Sequence, residues 1–363
     1  MTARPDTRIT EVEAVPLDVA LLAPFTIASS RLEEVRNVAL RLRLACGVEG
    51  WAEIPALPGV TYEDQATALD AIDWMRPGLE GRDAAAWRQL AVDLELLMPE
   101  HRGARAAIEI AALDALTRAW RVPLFEFLGG VSNEVVTDIT IPICPPEEAR
   151  TLAERYRGEG FATIKTKVGL DLDADVARLQ AIRGGHPDCA LVLDANEGFT
   201  SDEALRFLGA LRAEGIVPGL FEQPVAREDW EGLGRVTREG GVPVAADESC
   251  RSPADALRVA SEGLATVLNI KLAKSGVLGA LEIAAIARTA GLGLMIGAMV
   301  ETRLGLSFGA HFAAGVGGFE WIDLDTAFLL VDDPIVSGYV ADGPRYTLPL
   351  DVAGHGAALA RLA

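Results

Sequence analysis

Residues 161–194 read FATIKTKVGLDLDADVARLQAIRGGHPDCALVLD. The stretch opens on a short apolar run, passes a glycine, continues with apolar residues at helical spacing and closes on a second apolar run, CALVLD. That is one strand–helix–strand unit, and the rhythm repeats on both sides of it. Upstream, TDITIPI is followed by PEEARTLAERYRGEG. Downstream, SDEALRFLGALRAEG leads to GLFEQPV, DWEGLGRVTREG to VPVAADES, SPADALRVASEG to ATVLNIKLAKSG, VLGALEIAAIARTAG to LGLMIGAMVE, and LGLSFGAHFAAG to FEWIDLDTAF. Eight strand candidates with helices between them are the pattern of parallel βαβ units, which points to a (β/α) barrel after about residue 132. An open doubly wound sheet is the alternative, but no Gly-rich phosphate fingerprint follows any of these strands.

The first part of the chain reads differently. RITEVEAVPLDV alternates, NVALRLRL-ACG-VEGWAEI has a hairpin pattern, and LLAPFTIASSRLEE between them reads as a polar loop. Helical spacing runs from about residue 62 to 120 and ends in the alanine-rich GARAAIEIAALDALTRAW. The segment is therefore α+β. The tail, 331–363, is mixed and is expected to return to it.

TIKTKVG holds two lysines two residues apart, so Lys165 and Lys167 share one face of a strand. Of the 33 Lys and Arg residues only Lys165, Lys167, Lys271 and Lys274 are lysines, confined to TIKTKVG and NIKLAKSG. Arginine does not lose its proton at workable pH, whereas a partly buried lysine can, so chemistry that needs a base explains this placement. A barrel carries its active site at the C-terminal ends of the strands. Those ends here carry Lys167, Asp194, Glu222, Asp247, Lys271, Glu301, Asp323 and Asp325, the first five each about one βα unit beyond the last.

Charges at the ends of ALVLD, GLFE and VPVAAD are unfavourable unless they pair or bind something. Three convergent carboxylates, Asp194, Glu222 and Asp247, repel one another unless a cation joins them. An all-oxygen set favours a hard ion, Mg²⁺ before Mn²⁺ or Ca²⁺. Capping of the following helix is the competing reading for any one of these acids, but not for three in consecutive units between lysines. Lys167 and Lys271 flank the acids from opposite sides, which places the α-carbon of a bound carboxylate between two bases. Mg²⁺ stabilises the enediolate that forms when the α-proton leaves. Lys165 beside Lys167 is expected to lower the pKa of Lys167 and to hold the substrate carboxylate. Asn196 and Glu248 are expected to orient the ligands. Glu301 hydrogen-bonds in the pocket or pairs with Lys271, Lys274 is electrostatic support or surface, and His311 in AHFAAG is a packed helical histidine.

Composition narrows the classes. The chain has 363 residues, half of them hydrophobic, and a net charge of −20, so a large core is available and nucleic acid is not an expected partner. MTARPDTRITEVEAV has no apolar signal core and no 18-residue apolar run occurs, so a soluble, cytoplasmic protein without membrane contact is expected. Cys46, Cys144, Cys189 and Cys250 lie far apart, without CxxC or zinc spacing, and read as free thiols.

KTK, DAN, FEQP, DES and NIKLAKSG, in this order and spacing, resemble the enolase superfamily. More narrowly they resemble its muconate-lactonizing-enzyme subgroup, and within it the dipeptide epimerases of the L-Ala-D/L-Glu type. The resemblance covers essentially the whole chain, including PFTIASS, VEGWAEI and ALDALTRAW…LGG. It implies a modified (β/α)7β TIM-like barrel over 131–330, an N-terminal α+β capping domain over 1–130, and a C-terminal segment, 331–363, returning to the cap. It implies Mg²⁺ on Asp194, Glu222 and Asp247, with Lys167 and Lys271 as an acid/base pair on opposite faces. In WIDLDTAFLL, Asp323 and Asp325 share a face and resemble the D-x-D motif that binds the free α-ammonium of a dipeptide.

The implied activity is Mg²⁺-dependent epimerisation, a 1,1-proton transfer at the α-carbon of the C-terminal residue of a dipeptide through an enediolate. N-acylamino acid racemase and o-succinylbenzoate synthase are alternatives in the same subgroup. A non-catalytic metal-dependent binding protein is a distant one, against which the lysine pair speaks. The loop after PF departs from the glutamate-specific pattern: Ser30 stands where that pattern has arginine, with Arg31, Glu33 and Glu34 nearby. An apolar or cationic C-terminal residue then fits as well as glutamate. The resemblance is also compatible with a homo-oligomer.

Overall fold

The computed structural model describes residues 4–26, 31–130 and 132–360. Its N-terminal strands, β1 (Ile9–Thr26), β2 (Arg31–Leu44) and β3 (Glu49–Ile54), form an antiparallel sheet in that order. The ribbon is longer than the expected polar loop allows. Both ends of LLAPFTIASSRLEE are extended and paired, Phe25 opposite Leu32 and Thr26 opposite Arg31, beyond a register shift after Ala20. Burial explains the difference, because Leu17, Val19, Leu21 and Val35 share a small core with Leu304, Leu330 and Ile335. Alternation therefore continues where the composition turns polar. Ser30 lies outside the described residues.

The helix Arg102–Trp120 is buried on every side from Gly103 to Thr117, because it lies between β3 and the helix Leu272–Ala290. Alanine lets it approach closely, and Gly50 marks the closest point. A Cβ at Gly50 would fall 2.1 Å from the Ala111 carbonyl oxygen. Gly50→Ala is expected to destabilise the fold by about 1–3 kcal/mol, as overpacking does. An unchanged denaturant midpoint would show that helix and strand can separate without loss.

After β4 (Glu134–Val136) come eight strands: β5 (Ile139–Ile141), β6 (Thr163–Lys167), β7 (Ala190–Asp194), β8 (Leu220–Glu222), β9 (Val244–Ala246), β10 (Val267–Ile270), β11 (Gly293–Gly297) and β12 (Phe319–Asp323). They pair in sequence order, all parallel. The sheet closes on itself where the Asp138 amide donates to the Ile322 carbonyl at 2.9 Å. One helix separates each strand from the next and none of comparable length follows β12, so the architecture is a (β/α)7β barrel. Val192, Leu220, Ala245, Val267 and Met295 fill its interior below the site.

The C-terminal segment forms β13 (Ile335–Val336), β14 (Val340–Asp342), β15 (Arg345–Thr347) and β16 (Ala358–Leu359), with β15 pairing β4. It also reaches the long N-terminal helix: the His355 amide donates to Asp114 Oδ1 at 2.9 Å and Arg118 to the Ala357 carbonyl at 2.8 Å. The four cysteines are free thiols. Among the described residues, no helix is long and apolar enough to cross a membrane.

Candidate active site

Strand register sets the height of the polar side chains. Lys167 of β6 lies opposite Asp194 of β7, and Asp194 opposite Glu222 of β8. Asp247 and Glu248 follow β9, Lys271 follows β10, and Asp323 ends β12. Lys167 and Lys271 are thus separated by four strand steps in an eight-stranded ring, which is half a turn. The three acids of β7–β9 occupy the arc between the lysines on one side, and Asp323 lies on the other. A pocket opens over this ring, lined by Lys167, Lys271, Asp323 and Asp325 together with Leu57, Met299 and Val300.

The charges are tightly interlocked. Lys165, 1% exposed, places Nζ 2.6 Å from Asp323 Oδ2, 2.7 Å from Glu222 Oε2 and 3.0 Å from Asp194 Oδ2. Lys167 Nζ lies 2.6 Å from Asp194 Oδ2, and Lys271 Nζ 2.9 Å from Asp247 Oδ2. Lys274, also buried, lies 2.5 Å from Asp247 Oδ1 and donates to the Asn269 carbonyl. Asn269 in turn donates to Glu222 Oε1 at 2.6 Å.

Burial pushes Asp194 up, yet Lys165, Lys167 and Lys271 together hold it well below the usual carboxylate range. Asp247 is held low against burial by Lys271 and Lys274. Glu222 is pushed up to about 7 by burial and by the charge of Asp194. Burial lowers Lys165, but Asp194, Asp323 and Glu222 outweigh it and raise this ammonium well above its ordinary value. Lys271 is likewise raised, because Asp247 outweighs its burial. Lys165 therefore differs from its expected part. It lies beneath the pocket bridging three carboxylates, instead of holding a substrate carboxylate beside Lys167.

The oxygen set suits a hard cation. Asn196 donates its amide to Asp194 Oδ1 at 3.1 Å and its side-chain NH2 to Glu248 Oε1 at 3.2 Å. Asn196 Oδ1 and Glu248 Oε2 are buried with no hydrogen-bond partner among the described residues. Burial, then Asp247 and Asp194, raise Glu248 to about 8. Orphaned acceptors and an excess of carboxylates over lysines, without a histidine or thiolate, fit a divalent ion at Asp194, Glu222 and Asp247.

Comparison with known proteins agrees with the two-part architecture. Residues 9–129 match the mandelate racemase/muconate lactonizing enzyme N-terminal domain, and residues 148–362 match the enolase C-terminal domain-like family. The chain belongs to the enolase superfamily. An L-Ala-D/L-amino acid epimerase of Populus trichocarpa is 51% identical, over 96% of this chain and 84% of the relative. An aromatic dipeptide epimerase of Herpetosiphon aurantiacus is 44% identical, over 98% and 99%. The crystal structure of a dipeptide epimerase from Enterococcus faecalis, complexed with Mg and the dipeptide L-Leu-L-Tyr, superposes with a TM-score of 0.93. It is 34% identical and covers 96% of this chain and 99% of that one.

Other residues of this enolase-superfamily chain fall less simply. Asp325 is fully buried, accepts the Thr140 amide at 2.6 Å on Oδ2, and is raised to about 7 by burial and Asp323. Of the two expectations for Glu301, the structure shows the hydrogen bond and, among the described residues, no ion pair with Lys271. Its carboxylate turns back on its own loop, accepting the Met299 amide at 2.9 Å, and burial and Glu53 raise it to about 8. Glu53 of β3 is buried, with Asn37, the amide and hydroxyl of Thr302 and the Gly305 amide all donating to it. Asn37 also donates to the Val300 carbonyl. The N-terminal sheet thereby fixes the loop that carries Met299 and Val300. His311 accepts the Phe125 amide on Nδ1 and is lowered by burial to about 3, a packed neutral ring.

Sequence reasoning passed over Asp138, Asn269 and Glu53 and left Lys274 undecided between support and surface. Two signals were available: a lone acid inside TDITIPI, and Asn269 two residues before Lys271 in NIKLAKSG.

Proposed function

We propose that the chain is an Mg²⁺-dependent dipeptide epimerase that inverts the α-carbon of the C-terminal residue. The observation that carries this is the half-turn between Lys167 and Lys271 across one pocket, with the Asp194–Glu222–Asp247 arc on one side and Asp323 and Asp325 on the other. A substrate spanning the pocket from the arc to β12 has its α-carbon between the lysines. Mg²⁺ held by Asp194, Glu222 and Asp247 supplies positive charge for the substrate carboxylate and for the negative charge that builds there as the α-proton leaves. One lysine removes the proton from one face and the other returns a proton to the opposite face. Asp323 and Asp325 hold the N-terminal ammonium through charge-assisted hydrogen bonds. Asn196 and Glu248 orient the acids of the arc.

Leu57, Met299 and Val300 give the pocket an apolar wall, so an apolar substrate side chain is favoured over glutamate. The activities of the relatives, which include an aromatic dipeptide epimerase, support the same class. Free thiols, among them the exposed Cys46, suit a reducing cytoplasm.

The test is a mixed L,L-dipeptide library incubated with Mg²⁺-loaded protein in D2O and read by mass spectrometry. A one-dalton gain confined to dipeptides with apolar C-terminal residues is expected. No gain in any dipeptide, with metal shown bound, would sink the dipeptide reading and turn attention to N-acyl amino acids.

A further inference from the structure

Asp138 stands just before β5, on the inward face that Thr140 also shares. It is 3% exposed, and among the described residues neither of its carboxylate oxygens has a hydrogen-bond partner. One oxygen each of Asp138, Asp323 and Asp325 lies within 4.8 Å of the others. Among the described residues, donors reach only two of the three: Lys165 serves Asp323 Oδ2, and the Thr140 amide serves Asp325 Oδ2. Asp325 Oδ1 is buried and lacks a donor.

A carboxylate without a donor in a dry interior is strongly disfavoured as an anion, and clustered carboxylates do not all ionise together. A protonated carboxyl, by contrast, has one O–H to give. We infer that Asp138 is the neutral acid of this cluster and a positioning residue: its O–H donates toward the Asp323–Asp325 pair, keeping that pair anionic and aimed at the substrate ammonium. This inference rests on the dipeptide reading of the same site.

The surroundings favour the neutral form. The charged and titratable groups that interact electrostatically with Asp138 are Asp323 at the end of β12, Asp325 just beyond it, Lys165 of β6, Glu222 of β8 and Tyr346 of β15. Burial comes first, and the acids Asp323 and Asp325 add to it, raising Asp138 well above the usual carboxylate range against the single opposing Lys165. Asp138 does not line the pocket, so it acts through its neighbours.

Asp138→Asn and Asp138→Ala, in the full-length Mg²⁺-loaded protein, separate the alternatives. Asparagine keeps a donor without charge, so its KM for a dipeptide is expected to stay within about threefold of wild type. Alanine removes the donor, and KM is expected to rise at least about tenfold, with kcat changing much less. If Asp138→Asn is as impaired as Asp138→Ala while both keep the wild-type melting midpoint, Asp138 works as an anion and the inference fails. Infrared spectroscopy reads the same point without turnover. At neutral pH the wild-type protein should show a protonated-carboxyl band that Asp138→Asn lacks, and identical spectra would overturn the assignment. Because that band does not depend on substrate, it stands or falls separately from the dipeptide reading.

Discussion

Lys271→Ala is expected to lower the epimerisation rate constant by about 10³-fold or more, in the upper part of the range for loss of a positioned acid–base group. Lys167→Ala should do the same. The two lysines sit half a turn apart on the barrel, so neither can reach the face served by the other. The informative result is the partial activity that survives. Each single variant should still exchange the α-proton of one epimer with solvent, because a lysine ammonium carries several exchangeable protons and can return deuterium to the face it deprotonated. The two variants should retain opposite epimers. Mass spectrometry in D2O measures exchange, and polarimetry measures inversion. Wild-type turnover in Lys271→Ala would mean that one base serves both faces, and the two-base arrangement would be wrong.

The second large effect is expected at Asp323. Asp323→Ala should lower kcat/KM for dipeptides by about 10²–10³-fold, within the 2–5 kcal/mol typical of truncating one partner of a buried charge pair. Two losses add at this residue: the ammonium partner of the substrate, and one of the three carboxylates that Lys165 bridges. N-acetylated dipeptides separate them. They carry no ammonium, so their slow reaction should change far less than that of free dipeptides if Asp323 acts on the substrate. Equal losses on both substrates would assign Asp323 to holding Lys165. An enzyme that prefers the acetylated substrate from the outset would point instead to N-acylamino acid racemase chemistry.

The barrel was legible because charges at the ends of apolar strands demand a common explanation. Asp194, Glu222 and Asp247 each close a run such as ALVLD, and once the strands are parallel their convergence is a matter of register. The lysines were legible for a different reason: a chain that otherwise uses arginine placed them in only two segments. What stayed hidden depends on closure. Asp138 and Asp323 are far apart in sequence and meet only where the first and last strands join, through the amide of Asp138 itself. Lys165 was visible as a residue but not as a bridge, because its three partners come from three different strands. The direction of Glu301 follows from a loop turn that no periodicity encodes. The length of the β1–β2 ribbon was missed because its core partners, Leu304 and Leu330, lie near the other end of the chain.

The buried carboxylate of Glu53 has a consequence for engineering. It belongs to the N-terminal sheet, yet Thr302 and Gly305 of the barrel donate to it, and Asn37, which donates to it as well, holds the Val300 carbonyl. The wall that touches a substrate side chain is thus shaped by hydrogen bonds crossing from one half of the molecule to the other. Chimeras that graft the first 130 residues of one relative onto the barrel of another should keep their selectivity only when Asn37, Glu53 and Thr302 travel as a set. Libraries that randomise Met299 and Val300 alone will sample side chains on a backbone whose position is decided elsewhere.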